Sequence, residues 1–187
     1  MRKKREIKVW DPLVRLFHWS LAGAFTVAWV TEDEWMDLHA YAGYVVASLL
    51  LFRLVWGLVG TRYARFSNFV KPPARVARYL KDLLRFRAKR TIGHNPAGGA
   101  MIIALLVTLL ITTFTGLLAY GAEGAGPLAE LLFSRAAYSG ELLEEIHEFF
   151  ADFTLLLVAV HVTGVVFGSL LHRENLVRSM ITGTKRA

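Results

Sequence analysis

Two histidines in one apolar stretch, His147 and His161, are spaced so that both rings point to one face of a helix. At about 100° per residue, the fourteen-residue interval brings the second ring back to within about 40° of the first. At a rise of about 1.5 Å per residue, the rings lie about 21 Å apart along the axis. An imidazole in hydrocarbon needs a partner, and imidazole is the commonest side-chain metal ligand. The spacing suggests two cofactors stacked along one helix.

Four apolar stretches must position these histidines, at about 13–30, 38–59, 98–120 and 142–171. Each is long enough to cross a hydrocarbon layer of about 30 Å. Of the 187 residues 55% are hydrophobic, which is typical of a membrane protein. The sequence predicts an all-α integral membrane four-helix bundle that forms a single domain over residues 1–187.

The distribution of charged residues among the loops predicts how the bundle is oriented in the membrane. Lys and Arg concentrate in the N-terminal tail, in the loop 61–90 and at the C-terminal end, whereas the loops 31–37 and 121–143 are acidic. By the positive-inside rule, both termini are expected to face the cytoplasm, in a multi-pass protein of a cytoplasmic membrane. The net charge of +7 therefore reflects topology and lipid contact, and we expect no nucleic-acid partner.

Two smaller elements are expected in the loops. Pro72-Pro73 precedes Val76, Leu80, Leu83 and Leu84 at helical spacing among Arg and Lys, which predicts an amphipathic helix on the cytoplasmic membrane surface or a solvated linker helix. The short apolar run Leu128–Phe133 predicts an interfacial turn in the outer loop.

The predicted topology sorts four histidines into two pairs by depth. His39 and His147 lie near the outer side, and His18 and His161 lie toward the cytoplasm. Each pair offers one iron two axial nitrogens, an arrangement typical of bis-histidine haem b held between helices. The absence of cysteine excludes iron–sulfur clusters and covalently attached haem. The sequence thus predicts two haem b groups with these four iron ligands.

Small and cationic residues near the ligands agree with such cofactors. Gly43 lies four residues after His39, and Gly164 three residues after His161, so each leaves flat space beside a ligand. Further small residues stand at Ala22, Gly98-Gly99 and Gly116.

Haem propionates need cations or hydrogen-bond donors. The propionates of the inner haem are expected to bind two arginines. Arg53 lies fourteen residues after His39, and Arg15 lies one turn before His18. For Arg15 an alternative is contact with the lipid headgroups. For the outer haem the candidates are Tyr41, Tyr44 and Arg135.

The other two histidines have different expected roles. His94 precedes Asn95-Pro96 at the entry to the third stretch, and His172 ends the fourth, so a capping or solvated role is favoured for both. A quinone needs an apolar slot with a hydrogen-bonding group at each carbonyl. The candidates for that site are His94, Tyr63, Trp35, Tyr120 and Glu148.

Several motifs resemble the prokaryotic cytochrome b561 family, which includes the cytochrome b subunits of membrane-bound nickel–iron hydrogenases. They are the segments 9–19 (VWDPLVRLFHW), 39–43 (HAYAG), 53–60 (RLVWGLVG) and 93–99 (GHNPAGG), together with the pair His147 and His161. The resemblance implies four membrane helices holding two b haems, with ligands from helices one, two and four. It also implies electron transfer between a quinone pool and a hydrogenase or a soluble or membrane-attached cytochrome. Because the chain is shorter than typical hydrogenase subunits, a periplasmic or membrane-attached c-type cytochrome is expected at least as much as a hydrogenase.

Two alternatives stay open beside this electron-transfer protein, which is favoured over a stand-alone enzyme. One is a superoxide oxidase that delivers electrons to ubiquinone. It needs a positive funnel at the outer face, where acidic residues outnumber Arg135. The other is a haem-free membrane anchor or metal-ion carrier, for which Glu148 and Asp152 near His147 are the nearest carboxylates.

Overall fold

The computed structural model describes residues 6–32, 34–132 and 140–187 and is mostly helical. In chain order the elements are β1 (Glu6–Lys8), α1 (Pro12–Val30), α2 (Met36–Val59), α3 (Phe66–Phe69), α4 (Pro73–Leu84), α5 (Pro96–Ala122), α6 (Ala129–Leu132), α7 (Gly140–Leu171), α8 (Leu176–Thr182) and β2 (Thr184–Arg186). Helices α1, α2, α5 and α7 are long and apolar enough to cross a membrane. Their ends agree with the four predicted spans to within two residues.

The two smaller predicted elements are also present. Helix α4 begins at Pro73, where the missing N–H of proline costs no helical hydrogen bond. Leu80 and Leu84, one turn apart on α4, are exposed, so this helix offers apolar side chains beside its Arg and Lys residues. Its position on a membrane surface remains a prediction. Within the predicted turn at Leu128–Phe133 the described part is the short helix α6, and Phe133 lies outside the described residues.

The long helices expose much of their apolar surface. Leu16, Leu51, Leu58 and Leu170 are each more than 60% exposed. A soluble protein rarely leaves so much apolar surface in contact with water, whereas lipid covers it in a membrane. The exposure therefore agrees with four membrane-spanning helices.

The chain divides into two compact units. The first comprises Met1–Ser20, Leu51–Ala104 and Val158–Ala187, and the second comprises Leu21–Leu50 and Leu105–Leu157. Phe69 is almost fully buried in the first unit, and Leu50 and Thr154 are almost fully buried in the second. The second unit also buries Thr108, Thr112 and Thr115 on α5.

A two-stranded antiparallel pairing joins the two chain ends in the first unit. Glu6 lies opposite Arg186, and Lys8 lies opposite Thr184. The backbone N–H groups of Val9 and Trp10 both donate to the carbonyl oxygen of Gly183. Gly183 has φ +82°, a left-handed conformation that glycine adopts without strain, and it ends α8.

Candidate cofactor sites

In the second unit, α2 and α7 bring His39 and His147 together, with ring centroids 6.0 Å apart and ring planes at 83°. A main-chain carbonyl holds each ring. His39 Nδ1 lies 2.8 Å from the oxygen of Ala28, and His147 Nδ1 lies 2.8 Å from the oxygen of Thr112. Because a carbonyl oxygen only accepts hydrogen bonds, Nδ1 carries the proton on both rings. Each Nε2 therefore keeps a lone pair for a metal.

Gly116 gives the His147 ring its place against α5. A Cβ atom at this position would lie 2.6 Å from Cε1 and 2.8 Å from Nδ1 of His147. Any other residue would push the ring away from the Thr112 carbonyl, four residues earlier on the same helix. The small residue expected at Gly116 thus makes room for a candidate ligand ring itself.

In the first unit, α1 and α7 bring His18 and His161 together, with ring centroids 6.4 Å apart and planes at 53°. The rings of Trp19 and His18 are nearly perpendicular, at 87°, with 5.0 Å between centroids. His18 Nδ1 is buried and has no hydrogen-bond partner among the described residues. The four histidines thus meet in the predicted pairs.

Both pairs fit a metal that is bound from two opposite sides. Two imidazoles that each make a metal–nitrogen bond of about 2 Å to one ion have ring centroids about 6 Å apart. Within the described ranges, no group of three or more His, Cys, Asp or Glu residues is placed to hold a bare metal ion. Two ligands suffice for the iron of a porphyrin, which supplies the other four nitrogens itself. The donor set therefore fits haem.

Arg53 is a buried cation in the first unit, only 3% exposed. Its guanidinium lies 4.9 to 6.0 Å from the ring centroids of Phe17, Phe66 and Phe69. Nη2 donates to the carbonyl oxygen of Ala64 at 3.0 Å, and Nη1 is buried with no partner in the described part of the chain. A buried donor without an acceptor agrees with an anionic group at this place.

The other predicted site residues lie as follows. The Arg15 side chain reaches Gly183 and has a buried Nε without a partner among residues 6–32, 34–132 and 140–187. A Cβ atom at Gly43 or Gly164 would meet no neighbouring group within 4 Å in the part of the chain that the structure describes, so both positions leave space beside the helices of the candidate ligands. The Tyr44 hydroxyl lies against Gly126, and Tyr41 is exposed. Arg135 lies outside the described residues.

His94 corrects the expectation of a capping or solvated role. Its ring packs against Trp10 at 4.5 Å and Phe69 at 4.7 Å between centroids, and its Nδ1 is buried without a partner among the described residues. Burial, followed by the charges of Arg53 and Lys185, lowers the pKa of His94 to about 3. His94 is therefore neutral at physiological pH. Nε2 of His172 is likewise buried rather than solvated.

A comparison with known proteins assigns the chain to a family. The model of the prokaryotic cytochrome b561 family matches residues 9–183, which is nearly the whole chain. The chain belongs to this family. As a b-type cytochrome of the membrane, it carries haem b and transfers electrons.

Curated relatives of this cytochrome carry one description, "Probable Ni/Fe-hydrogenase B-type cytochrome subunit". The protein of Azotobacter vinelandii is 29% identical over 98% of this chain and 90% of its own length. Those of Rhodobacter capsulatus and Cupriavidus necator are each 25% identical, over 98% and 94% of this chain and 82% and 85% of their own lengths. No solved structure matches the chain.

The hydrogen bonds from main-chain carbonyl groups to the histidine rings were not predicted from the sequence. The carbonyl groups of Ala28 and Thr112 hold two histidine rings, yet every residue has such a carbonyl, so no residue type marks it. The aromatic surroundings of His94 come from Trp10 and Phe69, which are distant in sequence. Gly116 is the small residue on α5 that marked the place of the His147 ring in the sequence.

Proposed function

We propose that this cytochrome holds two haem b groups, one between His39 and His147 and one between His18 and His161. The observation that carries the proposal is the meeting of these rings in two pairs, at 6.0 and 6.4 Å between centroids. We further propose that the chain is a single domain, a four-helix bundle in the bacterial inner membrane with both termini on the cytoplasmic side. The basic loops and the apolar helices support this topology.

Haem b, when bound, supplies a one-electron couple. The residues of the chain would orient the haem and offset the negative charge of its propionates. The carbonyl groups of Ala28 and Thr112 fix the tautomer in which Nε2 keeps its lone pair, so that His39 and His147 would hold the iron through Nε2. Arg53 and Arg15 carry buried donors that have no partner among the described residues, and these donors would suit haem propionates.

Room for the porphyrin is a further requirement of the ligand helices. Gly43 and Gly164 lie one turn from the proposed ligands His39 and His161, and a Cβ atom at either position would meet no neighbouring group of the described residues within 4 Å. We propose that these two glycines would leave room for a porphyrin beside α2 and α7.

We propose that electrons pass between a quinone in the membrane and a protein partner. The partner to test first is a nickel–iron hydrogenase, because the printed names of the relatives refer to one. A c-type cytochrome is the alternative that the test must separate. His94 and Tyr63 are the quinone candidates of the first unit, where the Tyr63 ring packs against Gly93.

Electron transfer across sealed vesicles tests this function. The purified holoprotein is reconstituted into liposomes with ferricyanide trapped inside, and an impermeant reductant is added outside. We expect bleaching of the ferricyanide with the native chain and with the control His172→Ala. His39→Ala and His161→Ala should each abolish it, because each removes an iron ligand.

Two further arms identify the partners. A nickel–iron hydrogenase under hydrogen, or a reduced c-type cytochrome, replaces the reductant, and a quinol analogue is tested separately. Bleaching of the trapped ferricyanide with the hydrogenase under hydrogen, and separately with the quinol analogue, supports the proposal. Electron transfer that persists in His39→Ala and His161→Ala, or that is absent from the native holoprotein with every reductant, contradicts it.

A further inference from the structure

The two histidine pairs differ in what holds their rings. In the His39/His147 pair both Nδ1 atoms donate to main-chain carbonyl oxygens, of Ala28 and Thr112, at 2.8 Å. In the other pair, Nδ1 of His18 is buried without a partner among the described residues. The inference from this difference rests on the proposed function, namely that each pair ligates one haem.

A carbonyl acceptor at Nδ1 changes how strongly the ring binds iron. The hydrogen bond Nδ1–H···O=C moves electron density toward Nε2 and makes the imidazole a stronger donor. A stronger axial donor stabilises ferric iron more than ferrous iron, because the ferric ion carries the larger charge. The reduction potential of the haem falls as a result.

Nearby charges act in the same direction. Glu144 and Glu148 lie on the same helix as His147 and interact with its ring electrostatically. Negative charge disfavours the added electron and lowers the potential further. Both carboxylates are exposed, so water screens their effect, and the carbonyl bonds carry most of the argument.

The His18/His161 pair lies in the unit that contains a buried positive charge. Arg53 packs against the ring of Phe17, the residue before His18. Asp11 offsets part of this charge, since it interacts electrostatically with Arg53. Because Arg53 is only 3% exposed, water screens its charge poorly, and a positive charge favours the reduced form of a nearby haem.

We propose that the haem at His39/His147 has the lower reduction potential of the two, and that the carbonyl groups of Ala28 and Thr112 are its positioning groups. This order favours electron movement from the His39/His147 site to the His18/His161 site.

An equilibrium redox titration of the purified holoprotein, followed in the visible haem bands, tests the proposal. We expect two one-electron components in the native chain. In His39→Ala, one haem should be lost, and the component that remains should be the one with the higher potential. In His161→Ala the lower-potential component should remain.

A glycine variant tests the role of the carbonyl bond directly. In Gly116→Ala the new Cβ atom displaces the His147 ring from the Thr112 carbonyl, so the lower potential should rise while the higher one stays unchanged. Gly23→Ala is the matched control in the same unit, because a Cβ atom there meets no neighbouring group of the described residues within 4 Å. If Gly116→Ala loses a haem instead, the remaining component should again be the one with the higher potential.

Several outcomes overturn the proposed order of potentials but leave the assignment of two haems intact. These are equal potentials in the native chain, survival of the lower-potential component in His39→Ala, or an unshifted or lowered potential in a Gly116→Ala protein with both haems. A native chain without haem, or a His39→Ala variant with both haems, refutes the ligand assignment instead. The two kinds of failure are therefore distinct.

Discussion

Replacing Glu174 by glutamine should loosen the pairing of the two chain ends. Glu174 Oε1 lies 2.8 Å from Arg90 Nη2, and Oε2 lies 3.7 Å from Lys185 Nζ. The side chains of Glu174 and Lys185 are only 6% and 5% exposed, whereas that of Arg90 is 30% exposed. Since Lys185 belongs to β2, the variant leaves a buried ammonium group in this strand without its carboxylate.

The expected loss follows from these exposures. Removing one partner of a fully buried ion pair costs about 3–5 kcal/mol. Water screens the Arg90 contact, so the cost here should be about 2–4 kcal/mol. At about 1.4 kcal/mol per factor of ten, opening of the β1–β2 pairing becomes roughly 30- to 700-fold more frequent.

Hydrogen exchange of the holoprotein in detergent, read by mass spectrometry, measures this opening. In Glu174→Gln, the peptides that contain β1 and those that contain β2 should exchange roughly 30- to 700-fold faster. Glu145→Gln, a variant of an exposed glutamate on α7, is the control and should exchange like the native chain. Equal protection in all three proteins would refute the role given to Glu174.

The same pairing should depend on pH. Burial raises the pKa of Glu174, but the hydrogen bond from Arg90 and the charges of Lys185 and Arg90 lower it, and the net pKa lies below the ordinary 4.5. A carboxyl group whose pKa is lowered by folding stabilises the folded state above its unfolded pKa, and this contribution disappears as pH falls through the folded pKa. Corrected for the intrinsic rate, protection should therefore stay constant above about pH 5.5 and fall under more acidic conditions. In Glu174→Gln this acid-dependent step should be absent.

Two further variants test the packing of the first unit by thermal denaturation in detergent. Gly57→Ala places a Cβ atom 2.1 Å from the Phe66 ring and should cost about 1–3 kcal/mol, whereas Gly23→Ala meets no atom and should melt like the native chain. Asp11→Ala removes the acceptor for the Thr61 hydroxyl at 2.6 Å and the cap of α1, and should cost about 2–4 kcal/mol. An unchanged melting temperature in either variant would contradict the packing described for that residue.

The features that follow from local patterns of apolar and charged residues were predictable from the sequence. The four spans agree with the prediction to within two residues because long apolar runs have few alternatives to a membrane helix. The pairing of four histidines followed from helical periodicity and from the order of charged loops. Helix α4 followed from its apolar spacing after Pro72-Pro73.

Features that depend on distant contacts were not predictable. Strand β1 is three residues long, and its sequence, Glu6-Ile7-Lys8, shows nothing that selects Thr184–Arg186 as its partner. His94 was expected at a solvated turn, because the aromatic rings that cover it belong to other parts of the chain. The carbonyl bonds to His39 and His147 have no side-chain signature at all.

The number of haems per chain tests the central claim most directly. Haem extracted from the purified native protein and from His172→Ala should amount to two per chain. Replacement of His18, His39, His147 or His161 by glycine should remove one haem in each case, and added imidazole should restore it by supplying the missing ligand. A native chain with fewer than two haems, or a glycine variant of one of these four histidines that keeps both without added imidazole, would contradict the assignment.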